Sequence, residues 1–196
     1  FIGRLPIHHA LPDYLILTGH KLGGPKGVGA IVSHEDAPLV AIIRGGGQEG
    51  GRREGTEPLP AIAGFGAAME VVEAERLSES SRLSRLREGV AKVLLEMCPG
   101  SQVLGLGAPR LPNTLSWMVP APLRAAEVNH ALEQRGVCIS AGSACHAGST
   151  KPSAVLTAMG LSAEEASRVL RISMGHTTTR DEVNALLSHL IEVVEE

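Results

Sequence analysis

The chain is poor in the residue types and patterns that mark several classes of protein. Aromatic residues make up 2% of its 196 residues, which argues against bases stacked on an aromatic platform. The 18 basic and 21 acidic residues are interspersed and give a net charge of −3, so no basic stripe is available for a nucleic-acid backbone. No segment approaches the roughly 18 uninterrupted apolar residues of a membrane span. We therefore expect neither a nucleic-acid nor a membrane partner.

Cysteine is also scarce. The three cysteines, Cys98, Cys138 and Cys145, are odd in number and form no C-x-x-C pair, so neither a disulfide framework nor a zinc site is predicted. Free thiols, and an opening FIGRLPIHH without a secretory pattern, favour a reducing, cytoplasmic setting. Because the chain begins at Phe1, we expect it to be a fragment or a processed product.

The hydrophobic pattern predicts short strands that alternate with helices, and hence an α/β or α+β fold. Strands are predicted at Tyr14–Leu17, Ala30–Val32, Leu39–Ile43, Leu115–Val119 and Val137–Ser140. Helices are predicted over 60–97 and 125–135, and capping boxes at Ser162–Glu165 and Thr179–Glu182 indicate two more. The polar stretch 73–81 predicts a boundary between two structural parts.

Glycine is abundant, above all in LTGHKLGGPKGVGAIV, residues 17–32. Gly19 and Gly24 have the spacing of a phosphate loop, but Pro25 stands where that motif needs lysine, and no Ser or Thr completes it. Apolar neighbours would instead desolvate Lys21, lower the pKa of its amine and make it a nucleophile suited to Schiff-base chemistry. The alternative is a solvent-exposed lysine in a turn.

Two other residues are candidates for chemistry. Cys145 lies in the small-residue loop SAGSACHAGSTKPS, where a thiol is either reactive or merely exposed. Cys138 is predicted to be embedded, and Cys98 to be inert. Arg171 lies in the apolar run VLRISMG, where a buried guanidinium needs a substrate carboxylate or an intramolecular acid. A Schiff-base lysine, a loop thiol and a carboxylate-binding arginine together fit the sulfur chemistry of amino acids.

Four segments in order resemble the cysteine desulfurases, the NifS-like branch of the class V aminotransferase family of fold-type I pyridoxal-phosphate (PLP) enzymes. They are TGHKLGGPKGVGA, GGGQEGGRREGT, RLPNTLS, and SAGSAC with VLRISMG and TTRDEV beyond it. The resemblance covers essentially the whole chain. It implies an α/β fold in which residues 1–76 complete the PLP-binding large domain and residues 77–196 form a small α+β C-terminal domain. It also implies that about half of the enzyme, with the groups that hold the pyridine ring, precedes Phe1.

The resemblance assigns the cofactor-binding residues. Lys21 would hold PLP as a Schiff base and then move a proton. Thr18 and His20 match the positions that bind the phosphate of PLP. Thr56 matches a threonine that reaches the phosphate in a neighbouring subunit, which implies a homodimer with shared sites.

The resemblance also assigns the substrate side. Arg171 would bind the carboxylate of L-cysteine, and the Cys145 thiolate would attack the substrate sulfur. The products would be L-alanine and a persulfide on Cys145, which a sulfur-acceptor protein would take for iron–sulfur clusters, thiolated tRNA or another pathway.

Three departures from the family pattern bear on this assignment. Gly50 stands where the glycine-rich loop usually carries an arginine, for which Arg52 and Arg53 are the candidate substitutes, and Gly175-His176 replaces Gly-Arg. The pair Cys145-His146 is similar to that of selenocysteine lyases, which act on L-selenocysteine, whereas the spacing to the following proline resembles the desulfurases. Cysteine desulfurase is favoured, with selenocysteine lyase as the alternative. A third alternative is a non-catalytic fragment that lacks the first half of the PLP site.

Overall fold

The computed structural model describes residues 12–141 and 153–196. The chain divides into two compact units, Phe1–Leu77 and Ser78–Glu196. The strands are β1 (Tyr14–Thr18), β2 (Gly29–Ser33), β3 (Gln102–Val103), β4 (Thr114–Met118), β5 (Ser140–Ala141) and β6 (Val169–Ser173). The helices are α1 (Gln48–Gly51), α2 (Leu59–Met97), α3 (Ala125–Gln134), α4 (Ala154–Ala158), α5 (Ala163–Ala166) and α6 (Arg180–Glu195).

In the first unit, β1 and β2 form an antiparallel hairpin whose register pairs Thr18 with Gly29 next to the glycine-rich turn. These two strands confirm two of the sequence predictions. The strand predicted at Leu39–Ile43 is wrong, because this segment is irregular and Ile42 is 98% exposed. Apolar β-branched residues form a strand only where a neighbouring strand pairs with them, and in the described residues β1 and β2 pair with each other alone.

Helix α2 is continuous across the polar stretch 73–81, and the boundary between the two units lies within it. The charged residues in and next to this stretch suit a helix, because Glu73 pairs with Arg76 and Glu79 pairs with Arg82 at a spacing of three. The boundary between the two units, at Leu77 and Ser78, falls within the polar stretch where the sequence predicts it, and the helix runs through that boundary.

The second unit is built on an antiparallel sheet with the strand order β3-β4-β6-β5. Side chains alternate between the two faces of a strand. Leu115, Trp117, Leu170 and Ile172 belong to the main core, which also contains buried residues of α2, α3 and α6. Met118 and Val169 belong to a smaller cluster with residues of α4 and α5. Arg171 has the same parity in its strand as Val169, so it lies on the face opposite the main core.

Most of the helices of this unit follow the sequence predictions. Both capping boxes are present, since Ser162 and Thr179 each accept a backbone hydrogen bond from the glutamate three residues later. Helix α3 ends before Gly136, which has a left-handed φ of 76°. The strand predicted at Val137–Ser140 is wrong in extent, because β5 contains only Ser140 and Ala141.

Candidate functional site

The glycine-rich turn joins β1 to β2 and holds Lys21 in a single 3₁₀ turn, Gly19–Leu22. The backbone folds back closely, because the amide of Gly19 donates to the Val28 carbonyl at 2.9 Å and the amide of Gly24 donates to Gly19 at 2.9 Å. A Cβ on Gly19 would lie 2.9 Å from both the Pro25 carbonyl oxygen and Val28 Cγ1. The turn therefore requires glycine at position 19 on steric grounds.

Thr18 and His20, the two predicted phosphate ligands, lie together at the start of this turn. The Thr18 hydroxyl oxygen is 3.0 Å from Nδ1 of His20, which is hydrogen-bond distance. Thr18 is half-buried, and His20 and Lys21 are exposed. One short segment thus presents a hydroxyl, an imidazole and an amine, which is a donor set suited to a phosphate group and an aldehyde on the same molecule.

The expectation that neighbouring apolar residues desolvate Lys21 is wrong for the described residues. Lys21 is exposed, whereas Val28 in the same turn is buried. The physical reason is that Gly19, Gly23 and Gly24, which lie close to Lys21 in the sequence, have no side chains to cover the amine. Lys21 is consequently accessible to a carbonyl compound without any rearrangement of the turn.

The second glycine-rich segment leads from the apolar run at 39–43 to α2 and contains Thr56, which is exposed. Glu49 adopts a left-handed φ of 48° within α1, a conformation that is uncommon outside glycine. The Arg53 guanidinium donates to the carbonyls of Glu54 and Gly55 at 2.6 and 3.2 Å. The Arg53 guanidinium is therefore hydrogen-bonded within its own loop. That Arg53 takes the role of the arginine usually found in place of Gly50 stays a prediction.

Arg171 lies at the centre of β6, directly opposite Ser116 of β4 and Ser140 of β5. Opposed residues point to the same side of a sheet, so two hydroxyl side chains flank the guanidinium. Arg171 is half-buried, and its Nη2 donates to Ser140 Oγ at 3.5 Å. In the part of the chain that the structure describes, no carboxylate lies within ion-pair distance of Arg171. An acidic side chain of the same chain, the alternative partner that the sequence suggested for Arg171, is thus not found among these residues. The Arg171 guanidinium can therefore accept an external carboxylate.

The cysteines differ in accessibility from what the sequence predicts. Cys145 lies outside the described residues. Cys98 is buried, and burial, followed by the negative charge of Glu195, raises the pKa of its thiol. This agrees with an inert residue. Cys138 is exposed, so the prediction that it is embedded is wrong, because β5 begins two residues later and Cys138 has no place in the sheet.

The structure also reveals hydrogen bonds of two residues, Asn113 and Arg82, that the sequence analysis did not predict. The buried Asn113 side chain donates to the Met174 carbonyl at 3.2 Å, and the Met174 amide donates back to Asn113 at 2.9 Å. The Arg82 guanidinium donates to the carbonyls of Gly175, His176 and Thr178. The only signal for Arg82 in the sequence is Glu79 three residues earlier, and that spacing is common in exposed helices.

One open cleft of about 410 Å³ lies elsewhere, between α2 and α6. Its lining includes Arg82, Arg85 and Arg180 over an apolar floor, but none of the predicted catalytic or binding residues. The cleft therefore gives no independent support to the candidate site.

Comparison with known proteins places this geometry in a family. Residues 7–186 match the family model for class V aminotransferases. A cysteine desulfurase of Rhodobacter capsulatus is 39% identical over 197 residues, which cover 100% of this chain and 51% of that protein. A cysteine desulfurase of Frankia sp. strain EuIK1 is 40% identical over 189 residues, which cover 93% of this chain and 44% of that protein. The chain spans about half the length of these curated relatives.

Solved structures agree with the sequence comparison. A NifS-like protein from Rickettsia africae superposes with a TM-score of 0.82 at 32% identity, over 94% of this chain and 48% of that one. A structure described as SspA in complex with cysteine gives a TM-score of 0.56 at 36% identity, over 83% of this chain and 44% of that one. The predicted α/β fold of a fold-type I PLP enzyme is thereby confirmed. Since the match extends over most of its residues, the chain belongs to the class V aminotransferase family, whose cysteine desulfurase members are PLP-dependent.

Proposed function

We propose that this chain supplies the cofactor lysine and the substrate arginine of a PLP-dependent cysteine desulfurase. The observation that carries the proposal is the turn that presents Lys21 beside the Thr18–His20 pair, whose side chains are 3.0 Å apart. The relatives named above are cysteine desulfurases at 39 and 40% identity, which supports this activity over other reactions of the family.

Lys21 would hold the aldehyde carbon of the cofactor, and Thr18 and His20 would hold its phosphate. When bound, PLP acts as an electron sink for the substrate carbon skeleton. The exposed Lys21 amine, once released, is placed to carry a proton to or from that skeleton. His20 and Lys21 are exposed in the turn, and Thr18 is half-buried beside them.

Arg171 binds the α-carboxylate of L-cysteine through its planar fork, with Ser116 and Ser140 on either side. The Cys145 thiolate then attacks the substrate sulfur. The carbon–sulfur bond breaks, a sulfur–sulfur bond forms, and the carbon skeleton takes up protons to become L-alanine. One L-cysteine and one thiol thus give one L-alanine and one persulfide, which a sulfur-acceptor protein removes. The related structure with bound cysteine supports this substrate.

The assembly is part of the same proposal. Thr56 would hold the phosphate of the cofactor in a second copy, which would make the active protein a homodimer. Thr56 is exposed and follows a segment with left-handed glycines at positions 47, 50, 51 and 55, which suits close approach of a backbone to another molecule.

The decisive experiment maps the lysine that holds the cofactor. The purified protein is incubated with PLP, reduced with borohydride, digested and examined by mass spectrometry. The pyridoxyl group is expected on Lys21, and Lys21→Ala is expected to abolish both the label and sulfide release from L-cysteine. Lys26→Ala is the matched control, since Lys26 is also exposed in the same turn. A label on Lys26, or full activity in Lys21→Ala, would contradict the proposal.

A second candidate, selenocysteine lyase, rests on the Cys145-His146 pair. The two functions differ in their need for the thiol, because selenium leaves carbon more readily than sulfur does. A desulfurase loses its activity on L-cysteine in Cys145→Ser, whereas a lyase keeps its activity on L-selenocysteine in the same variant. Rates on both substrates therefore separate the candidates.

A further inference from the structure

The cleft between α2 and α6 lies within the second unit, and the two helices that form it run side by side in the same direction. Near the start of α6, the Arg82 guanidinium of α2 donates to the Thr178 carbonyl at 2.8 Å. At the other end, burial and then the negative charge of Glu195 on α6 raise the pKa of the Cys98 thiol, which directly follows α2. The lining of the cleft on α6, residues 180–187, extends over about two helical turns.

The charge of the cleft differs from that of the chain. Among the residues that the structure describes, three charged side chains line the cleft, and all three are arginines, although the chain has a net charge of −3. Arg82 is paired with Glu79 at 2.6 Å. Arg85 of α2 and Arg180 of α6 are exposed, and neither forms an ion pair within the described part of the chain. Each of the two helices therefore offers one unpaired guanidinium to an anionic occupant.

Most of the other lining residues are apolar. Leu86 and Val93 of α2 and Leu187 of α6 are half-buried, so each keeps apolar surface in contact with water. Leu86 and Leu187 also pack against the main core, and the core therefore holds them in place. An occupant that covers these three side chains removes their surface from water, which favours association.

Gly89 also lines the cleft, in the interior of α2. Glycine inside a helix is destabilising relative to alanine. An added Cβ at Gly89 would meet no atom within 4 Å beyond its own stretch of helix, so packing within the described residues does not require glycine here. Without a side chain at this position, the backbone of α2 is open to close approach by another molecule.

The shape of the cleft favours a helix of another protein over a small molecule. Small-molecule sites enclose most of their ligand, whereas this cleft is an open groove between two parallel helices. Amphipathic helices bind such grooves through apolar side chains at helical spacing. We propose that the cleft between α2 and α6 is a docking site for an acidic, amphipathic helix of a protein partner. Its carboxylates pair with Arg85 and Arg180, and its apolar side chains cover Leu86, Val93 and Leu187.

The test begins with a displayed library of random peptides of about 15 residues, which span about 22 Å as a helix, selected on the purified full chain. Peptides that also bind Gly89→Leu are discarded. Leucine is a good helix former, so this variant folds, and its new side chain fills part of the cleft. The remaining peptides are expected to carry acidic residues beside apolar residues three or four positions apart. Enrichment of basic or uncharged sequences, or of none that depends on Gly89, would overturn the proposal.

One selected peptide, labelled with fluorescein, is then titrated with charge-reversed variants of the chain. Arg85→Glu and Arg180→Glu are each expected to raise Kd at least about tenfold, because attraction of the peptide becomes repulsion. Glutamate is also favourable in the first turn of a helix, so Arg180→Glu keeps α6 folded. Lys92→Glu is the matched control, since Lys92 is exposed on α2 outside the cleft. An equal loss in Lys92→Glu would show that only the overall charge matters and would contradict a specific site.

Two other occupants give distinct results. Sedimentation velocity of the wild type and Gly89→Leu shows whether the cleft binds a second copy of this chain. Self-association that Gly89→Leu abolishes would make the cleft an interface between copies and would overturn the proposal. Decanoate, an apolar chain with one carboxylate, tests for a small amphipathic anion. Binding of decanoate more tightly than any selected peptide would also overturn it. PLP takes no part in these measurements, so their outcome is independent of the proposed function.

Discussion

The hydroxyl of Thr18 lies 3.0 Å from Nδ1 of His20, although the two side chains belong to different elements. Thr18 ends β1, and His20 lies in the 3₁₀ turn that follows. Because the strand fixes Thr18 and the turn fixes His20, the pair is oriented before any ligand arrives. Such preorganisation lowers the entropic cost of binding an anion.

Thr18→Val is expected to weaken PLP binding, because valine keeps the shape of threonine but cannot hydrogen-bond to phosphate or to His20. A hydrogen bond to a charged group contributes about 1.5–3 kcal/mol, which corresponds to about a ten- to hundredfold rise in Kd. Titration with PLP, followed by absorbance, measures the change. Ser33→Ala, on exposed β2, is the control and should bind normally. Equal affinity of Thr18→Val and the wild type would remove Thr18 from the phosphate site.

Gly19→Ala is expected to destabilise the turn. The new Cβ would lie 2.9 Å from the Pro25 carbonyl oxygen and from Val28 Cγ1, and overpacking of this kind costs about 1–3 kcal/mol. Gly66→Ala, whose added Cβ would meet no atom within 4 Å beyond its own stretch of α2, should instead stabilise the protein by about 0.5–1 kcal/mol. Urea unfolding of both variants gives the comparison. A Gly19→Ala protein as stable as the wild type would show that the turn is looser than described.

Local sequence rules predict much of this fold where a local interaction decides the structure. The capping boxes at Ser162 and Thr179 are examples, since each requires only residues within one turn. The strand β4 is similar, because its alternation of Leu115 and Trp117 with polar residues is compatible with one register in the sheet. In these segments the local preference and the tertiary contacts agree.

The local sequence rules fail where residues that are distant in the chain determine the structure of a segment. The run at 39–43 has the composition of a strand, but no other described strand pairs with it. Cys138 looks embedded between Val137 and Ile139, yet it is exposed because β5 is short. The bonds of Arg82 cross more than 90 residues of chain, a separation at which local pattern gives no information. Within the candidate site, local sequence indicates Lys21 and its turn, while the contacts around Arg171 require the sheet.

Cys138 is expected to react with a thiol reagent in the folded protein, and Cys98 only after unfolding. Cys138 is exposed, whereas Cys98 is buried and its thiol has a raised pKa. The thiolate form of Cys98 is therefore both rare and inaccessible. Alkylation with iodoacetamide, followed by peptide mass spectrometry, distinguishes the two sites. The same reaction in urea should label both. Rapid labelling of Cys98 in the native protein would show that α2 and α6 separate readily.

The capping box at the start of α6 is expected to make stability depend on pH. The Glu182 carboxylate accepts a hydrogen bond from the Thr179 amide at 2.7 Å and one from its hydroxyl at 3.0 Å. These bonds lower the pKa of Glu182 in the folded state. A depressed folded pKa means that the contribution is fully present above the unfolded value, about 4.3, and is lost as the pH falls through the folded pKa.

Glu182→Gln, which imitates the protonated carboxyl, should therefore be less stable than the wild type at neutral pH, and the difference should be smaller at about pH 3, because the contribution is lost as the pH falls toward and through the lowered folded pKa. Urea unfolding at both pH values measures the difference. Glu70→Gln is the control, because Glu70 is exposed within α2 and makes no hydrogen bond in the described part of the chain. Its effect should be small at both pH values. A stability difference for Glu182→Gln that persists unchanged in acid would mean that the charge is not what this cap requires, and that the helix start depends on Thr179 alone.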